Sequence, residues 1–406
     1  MSTRRLDFMR LTRRQFLLAA AACVASGANA KSPSYREGTL KTGLCYKVLQ
    51  QENARHTVMY MVYGSGARHD PTTAQGTAHV LEHLMFRATS DETGQPYDAQ
   101  FKAIGVAGKA FTTEDITTYY CQAPTRLLPQ VFALEAARMR SIAMTDAAFH
   151  TEKKVVLAEV ASKNTSFQVN QQLTSTVMQG TSYAQSLAGV PEHIAALSFD
   201  TARQFHHAHY APANCVLIIV GPGDSAEIEG WIYAAFDTLS KPFMAQPTHA
   251  QWRDTLAPPP VSTSLGLLSL SWQGPRASEK ALRDYWSAWC AQGISPGISA
   301  TDLCFEHTGR LILSAQRNST SVATQVTELK NAVHTALNRT ASPQWLEGVK
   351  NSLELDRRLQ QHQTDRLAET LLAQWIAERT PPPERGATER EQLFSLLHNS
   401  PEVHLL

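Results

Sequence analysis

The segment Gly76-Thr77-Ala78-His79-Val80-Leu81-Glu82-His83-Leu84-Met85-Phe86 decides how the rest of this 406-residue chain is read. Val80, Leu81, Leu84, Met85 and Phe86 make it apolar over most of its circumference, which is the pattern of a helix buried in a core. The spacing predicts a helix over Ala74–Phe86, with Thr72 or Thr73 as its cap. His79 and His83 are four apart, so both imidazoles leave the helix on one face. Glu82 lies three after His79, on the same face but slightly around it. Two histidines and a glutamate in so apolar a helix need compensation. A metal supplies it, since two nitrogen ligands at this spacing suit a tetrahedral zinc and Glu82 can reach a water at the metal without being a ligand. The plain alternative is an exposed helix with two solvated histidines, and the apolar neighbours speak against it.

A catalytic zinc takes three protein ligands and keeps one position open, so a third ligand is expected on another element. The segment Glu152-Lys153-Lys154-Val155-Val156-Leu157-Ala158-Glu159 offers it. Glu152, Val155, Val156 and Glu159 fall at i, i+3, i+4 and i+7, one helical stripe. Two glutamates on a mostly apolar stripe depart from the usual solvated pattern, although an ordinary amphipathic surface helix remains the alternative. These ligand types also admit manganese or cobalt.

Outward from this pair of segments the chain reads as α+β. Leu44–Gln50 and His56–Tyr63 have strand composition, and Phe111–Thr113 with Ile116–Gln122 form a hairpin around Glu114-Asp115. Helices are expected at Asp98–Ile104, Arg126–Arg140, Ala147–Ser162 and Thr201–His209, and a strand at Cys215–Val220. A linker over 239–261 holds Pro242, Pro247 and the run Pro258-Pro259-Pro260. Beyond it the order restarts, with strands at Leu265–Trp272 and Arg310–Ser314 and helices at Glu279–Ala291, Ser321–Leu337 and Pro343–Arg379. The expected organisation is a first domain over 35–238, the linker, and a second domain over 262–406. The two halves would be homologous, each an antiparallel sheet packed with helices, the second degenerate.

Residues 1–30 read as an export signal. Arg4, Arg5, Arg10, Arg13 and Arg14 precede the short apolar run Phe16–Val24, and Ala28-Asn29-Ala30 is a small-x-small cleavage pattern. Arg13-Arg14 within Thr12–Leu17 suits the twin-arginine route. The apolar run is too short for a stable transmembrane span. The expected location is the periplasm, with lipidation of Cys23 as an alternative. Lys plus Arg number 37 and Asp plus Glu 36, so no global charge excess points to nucleic acid, and no basic stripe or stacking motif does either. Six cysteines include no C-x-x-C pair, which argues against a thiolate zinc site. Cys45 and Cys121 both fall in strand-like runs, where an oxidising compartment would permit a pairing that sequence alone does not fix.

His79-x-x-Glu82-His83 is the inverzincin arrangement. With Glu159 standing 76 positions after His83, the chain resembles the pitrilysin or insulinase family of zinc peptidases, in particular the branch of mitochondrial processing peptidase and small bacterial homologues. Further resemblance lies in Gly64–Arg68 leading into Gly76, in Ala110–Thr117 against the family's hairpin, and in Ser198–Asp200 through His209–Asn214. It is good over 40–225 and faint afterwards. The resemblance implies one zinc held by His79, His83 and Glu159, Glu82 as general base, and Glu152 as a catalytic-site residue that orients a ligand or its helix. It also implies an edge strand over Lys109, Ala110, Phe111 and Thr112 that pairs with an extended peptide. Lys109 stands where the family usually has asparagine, which places substrate choice in question. The family's substrate-holding Arg and Tyr of the second domain have no match here, since the last tyrosine is Tyr285. The resemblance therefore implies a zinc-bearing subunit, working as a dimer with a family member that carries the Arg and Tyr, on unfolded peptides. The alternatives are a catalytically silent binding or assembly subunit, and a metal-dependent hydrolase of small molecules.

Overall fold

The computed structural model describes residues 34–89, 94–240, 267–274, 298–305, 308–339, 363–379 and 401–405, together with Trp286 and Leu397. The expected export signal, most of the linker, the helix at Glu279–Ala291 except Trp286, and the first part of Pro343–Arg379 lie outside them. Among the described residues no helix is long and apolar enough to cross a membrane.

The chain opens with β1 (Tyr35–Thr39), β2 (Cys45–Gln50) and β3 (Thr57–Tyr63). Helices α1 (Thr77–Arg87) and α2 (Tyr97–Ala103) follow, then the hairpin β4 (Gly108–Thr112) and β5 (Thr117–Ala123). Next come α3 (Leu128–Arg140), α4 (Asp146–Ser162), α5 (Thr165–Val177), α6 (Pro191–Ala196) and α7 (Phe199–His209). Strand β6 (Cys215–Gly221) and helix α8 (Ser225–Phe236) close this half. The strands form one sheet in the order β1-β2-β6-β3-β5-β4, with β4 at an edge. Its pairs are antiparallel except β2 with β6, which is parallel. That pairing is possible because a long helical excursion separates β2 from β6.

Sequence alternation sets the two sides of this sheet. On β3, Met59, Met61 and Tyr63 join a core with Val80, Leu84, Phe132, Val156, Phe205 and Ile232, so α1, α3, α4, α7 and α8 cover that face. Val58, Tyr60 and Val62 point the other way, where α10 (Thr364–Arg379) brings Ala368, Leu371, Leu372 and Trp375 against them. Helix α10 follows β7 (Leu267–Gln273), β8 (Ile298–Cys304), β9 (Gly309–Gln316) and α9 (Val322–Arg339) in the chain. Its leucine and tryptophan side chains each contribute about 1.5–3 kcal/mol by burial, before ordering entropy is counted. With both faces covered, β3 and β6 are buried at every residue, which explains their unbroken apolar runs.

The second sheet has the order β10-β7-β9-β8, where β10 is Glu402–Leu405, and all its pairs are antiparallel. Leu329 and Val333 of α9 pack on Leu268, Leu270, Trp272, Leu311 and Leu313. Tyr183 stacks on Phe305 with ring centroids 4.3 Å apart, joining the halves. The α+β class and the two-half plan are therefore present. Cys45 and Cys121 are both free thiols, on strands separated by β6 and β3, so the pairing allowed by sequence is not made.

Candidate metal centre

Helix α1 does not start from Thr72 or Thr73. Its N-cap is Gly76, at φ 103°, a left-handed conformation that a side chain would strain. A Cβ there would also lie 2.7 Å from Ile194 Cγ1 and 3.0 Å from Gly189 Cα. The orphan N–H groups of the first turn go instead to Asp70, whose carboxylate accepts from Gly76 N at 2.6 Å and Ala78 N at 2.8 Å. Burial pushes Asp70 up to about 7, and those two backbone bonds oppose the rise. The apolar face of α1 buries Ala78, Val80, Leu81, Leu84 and Met85, which fixes the direction of the polar stripe.

That stripe meets helix α4. His79 Nδ1 donates to the Ala188 carbonyl at 3.0 Å, since a carbonyl can only accept. His83 Nδ1 bonds Glu152 Oε1 at 2.9 Å. Both rings thus spend one nitrogen on the protein and turn Nε2 toward Glu159. His79 Nε2 is 3.7 Å from Glu159 Oε1, and His83 Nε2 is 3.4 Å from Glu159 Oε2. Lys163 Nζ donates to Glu159 Oε1 at 2.6 Å. Bonds from His79 and His83 hold the Glu159 carboxyl far below the ordinary range, against its partial burial. Burial acts on His83 in the opposite sense, but the bonds to Glu152 and Glu159 and the charge of Glu82 outweigh it and raise His83 to about 9. The negative field of three carboxylates here favours a cation.

The donor set fits zinc. One ligand atom from each of His79, His83 and Glu159 lies within 4.8 Å of the others. Bonds of about 2.0–2.2 Å in a tetrahedron put ligand atoms roughly 3.3–3.6 Å apart. The histidine-to-glutamate separations are already close to that span. The two neighbouring bonds, from Ala188 and Glu152, are of the kind that orients metal-bound imidazoles.

Edge strand β4 runs beside this cluster. Thr112 donates its hydroxyl to Glu82 Oε2 at 2.5 Å. Strand alternation puts Ala110 and Gly108 on the same side as Thr112, and a Cβ on Gly108 would lie 3.2 Å from Phe86. Lys109 and Phe111 leave from the opposite side, where Phe111 meets Tyr120 with centroids 6.5 Å apart. The sequence expectation grouped Lys109, Ala110, Phe111 and Thr112 as one substrate strand. The structure divides their side chains between two faces and brings Thr112 to Glu82. Sequence reasoning missed Asp70, Ala188 and Lys163. Lys163 was readable as the residue four after Glu159, whereas the other two are set by loop geometry.

Residues 47–190 match the model of the family described as Insulinase (Peptidase family M16), and residues 196–287 match that of the Peptidase M16 inactive domain. The zinc protease PqqE of Helicobacter pylori is 25% identical over 227 residues, 53% of this chain and 51% of that one. Cytochrome b-c1 complex subunit 1 of Bos taurus is 27% identical over 192 residues, 47% of this chain and 40% of that one. The human mitochondrial-processing peptidase subunit beta is 26% identical over 192 residues, 47% of this chain and 39% of that one. The chain thus spans about half or less of the length of these curated relatives. A solved Helicobacter pylori protease superposes with a TM-score of 0.67 at 18% identity, covering 89% of this chain and 93% of that one, which is a likeness of fold. The two family matches together span more than half of the sequence, and this chain belongs to the insulinase family, Peptidase family M16.

Proposed function

We propose that the chain is a zinc-dependent endopeptidase acting on unfolded peptides. The observation that carries the reading is the convergence of His79, His83 and Glu159, with Glu82 beside them and tied to the edge strand by Thr112. His79 Nε2, His83 Nε2 and Glu159 would hold the zinc. When bound, zinc supplies Lewis acidity, polarising a carbonyl and making a water more acidic. Glu82 takes the proton of the attacking water and returns it to the leaving amine. Glu152 holds His83 in one tautomer through its Nδ1. Thr112 holds Glu82 against β4, along which an extended peptide can add as a further strand and so lie beside the base. Export to the periplasm and a dimer with an Arg- and Tyr-bearing family member complete the proposal, together with the possible attachment of lipid at Cys23 as its variant.

A second reading is a catalytically silent assembly subunit, favoured by the relatives named as cytochrome b-c1 complex subunit 1. Four site groups in working geometry speak for catalysis instead. The test is cleavage of a mixed quenched-peptide library by the full chain, alone and with a candidate partner, before and after chelation. Cleavage that stops on chelation and returns with zinc is expected. Absence of cleavage by a zinc-loaded chain in both settings would leave the assembly subunit.

A further inference from the structure

We infer that Lys163 is a positioning residue for the metal ligand Glu159, gripping one carboxylate oxygen so that the other is presented to the ion; the inference rests on the metal-centre reading above. Helix α4 ends at Ser162, and Lys163 leaves it at φ −59°, ψ 130°. From there its ammonium reaches back one turn to Glu159 Oε1 at 2.6 Å. The Phe167 ring also lies near it, 5.4 Å from Nζ to the centroid. Phe167 is itself fixed, because its N–H donates to Asn164 Oδ1, the cap of α5, at 2.9 Å. The break between two helices therefore brings a carboxylate and an aromatic ring to the same ammonium.

Glu159 needs such a hold more than the histidines do. Its side chain is 40% exposed, against 10% for His79 and 19% for His83. A long carboxylate side chain that far into water samples several rotamers, and each one lost on metal binding weakens affinity. Lys163 takes Oε1, the oxygen 3.7 Å from His79 Nε2, and leaves Oε2, the one at the shorter 3.4 Å from His83 Nε2, without a lysine partner. Each candidate ligand then has one outer partner: the Ala188 carbonyl for His79, Glu152 for His83 and Lys163 for Glu159. The ammonium also repels a dication, so positioning and repulsion act with opposite signs on affinity. The geometry points to positioning as the larger effect, because the ammonium is partly exposed to water, which screens its repulsion of the ion.

The experiment is zinc affinity of the full chain by competition with a chromogenic chelator, for the parent, Lys163→Met and Lys163→Arg. Lys163→Met is expected to bind zinc about tenfold more weakly, the scale of losing an outer partner. Lys163→Arg keeps a cationic donor and should stay near the parent. Melting of the metal-free proteins should be alike, since Lys163 is at the surface of a helix end. Lys163→Met binding as tightly as the parent, or more tightly, would overturn the inference and make Lys163 a bystander or a competitor of the ion. A parent that takes up no zinc would instead overturn the metal-centre reading, and this inference with it.

Discussion

The hydroxyl of Thr112, on an edge strand, donates to the carboxylate of Glu82, on the buried helix α1, at 2.5 Å. One bond thus connects the strand suited to carry a peptide backbone with the proposed base. Thr112→Val keeps the shape and removes the donor. A bond to a charged group is worth about 1.5–3 kcal/mol, so kcat should fall about 10–100-fold with little change in KM. Thr112→Ser should keep most of the activity. A rise in KM at constant kcat would instead make Thr112 a simple strand contact.

Glu152 is a buried carboxylate bonded to His83 Nδ1. Glu152→Ala should weaken zinc binding about 10–100-fold, because the imidazole loses the partner that sets its tautomer. Glu152→Gln keeps an acceptor oxygen and should lose less. Chelator competition reads both, and equal affinities for all three proteins would remove Glu152 from the account.

The last turn of α1 rests on a buried ion pair. Arg138 Nη2 and Nε bond Glu135 at 2.6 and 2.8 Å, and Nη1 donates to the Met85 carbonyl at 3.3 Å. Its guanidinium lies over Tyr119 at 4.5 Å. Arg138→Met strands the Glu135 charge and should cost about 3–5 kcal/mol in urea unfolding. Adding Glu135→Leu should recover much of that loss. Additive losses would show that each residue acts independently of the pair.

Acid should destabilise the fold through helix α7. Burial pushes His206 down to about 4, and its Nε2–H donates to the Arg138 carbonyl at 2.9 Å. An unfolded histidine titrates near 6.5, so between that value and 4 the unfolded chain binds more protons. The His206 contribution is therefore full above pH 6.5 and lost as pH falls through about 4, on the order of 3 kcal/mol. His206→Gln keeps a donor for Arg138 and should flatten unfolding free energy against pH in this window. An unchanged slope would place the acid lability elsewhere.

What was legible in the sequence had local spacing. His79, Glu82 and His83 declare themselves within five residues, and the stripe from Glu152 to Glu159 within two turns. What escaped depends on contacts across the chain. Strand β1, helix α5 and strand β8 were not anticipated. The parallel pairing of β2 with β6 and the seating of α10 on the first sheet join segments far apart in sequence. The helix start was misplaced because Asp70 caps α1 from six residues before Gly76, beyond the reach of ordinary capping patterns. The sequence names Lys109–Thr112 as one edge strand, and which side chains share a face with Glu82 follows only from the hydrogen bond of Thr112, which places Lys109 on the opposite face of β4.

The most direct measurement is turnover of a quenched peptide by Glu82→Gln beside the parent, with bound zinc determined in both. Glu82 is not among the proposed ligands, so the variant should carry zinc as the parent does while losing about 10²–10⁴-fold in kcat. A variant that holds zinc and cleaves at the parent's rate would contradict the role of Glu82 and the hydrolytic account built on it.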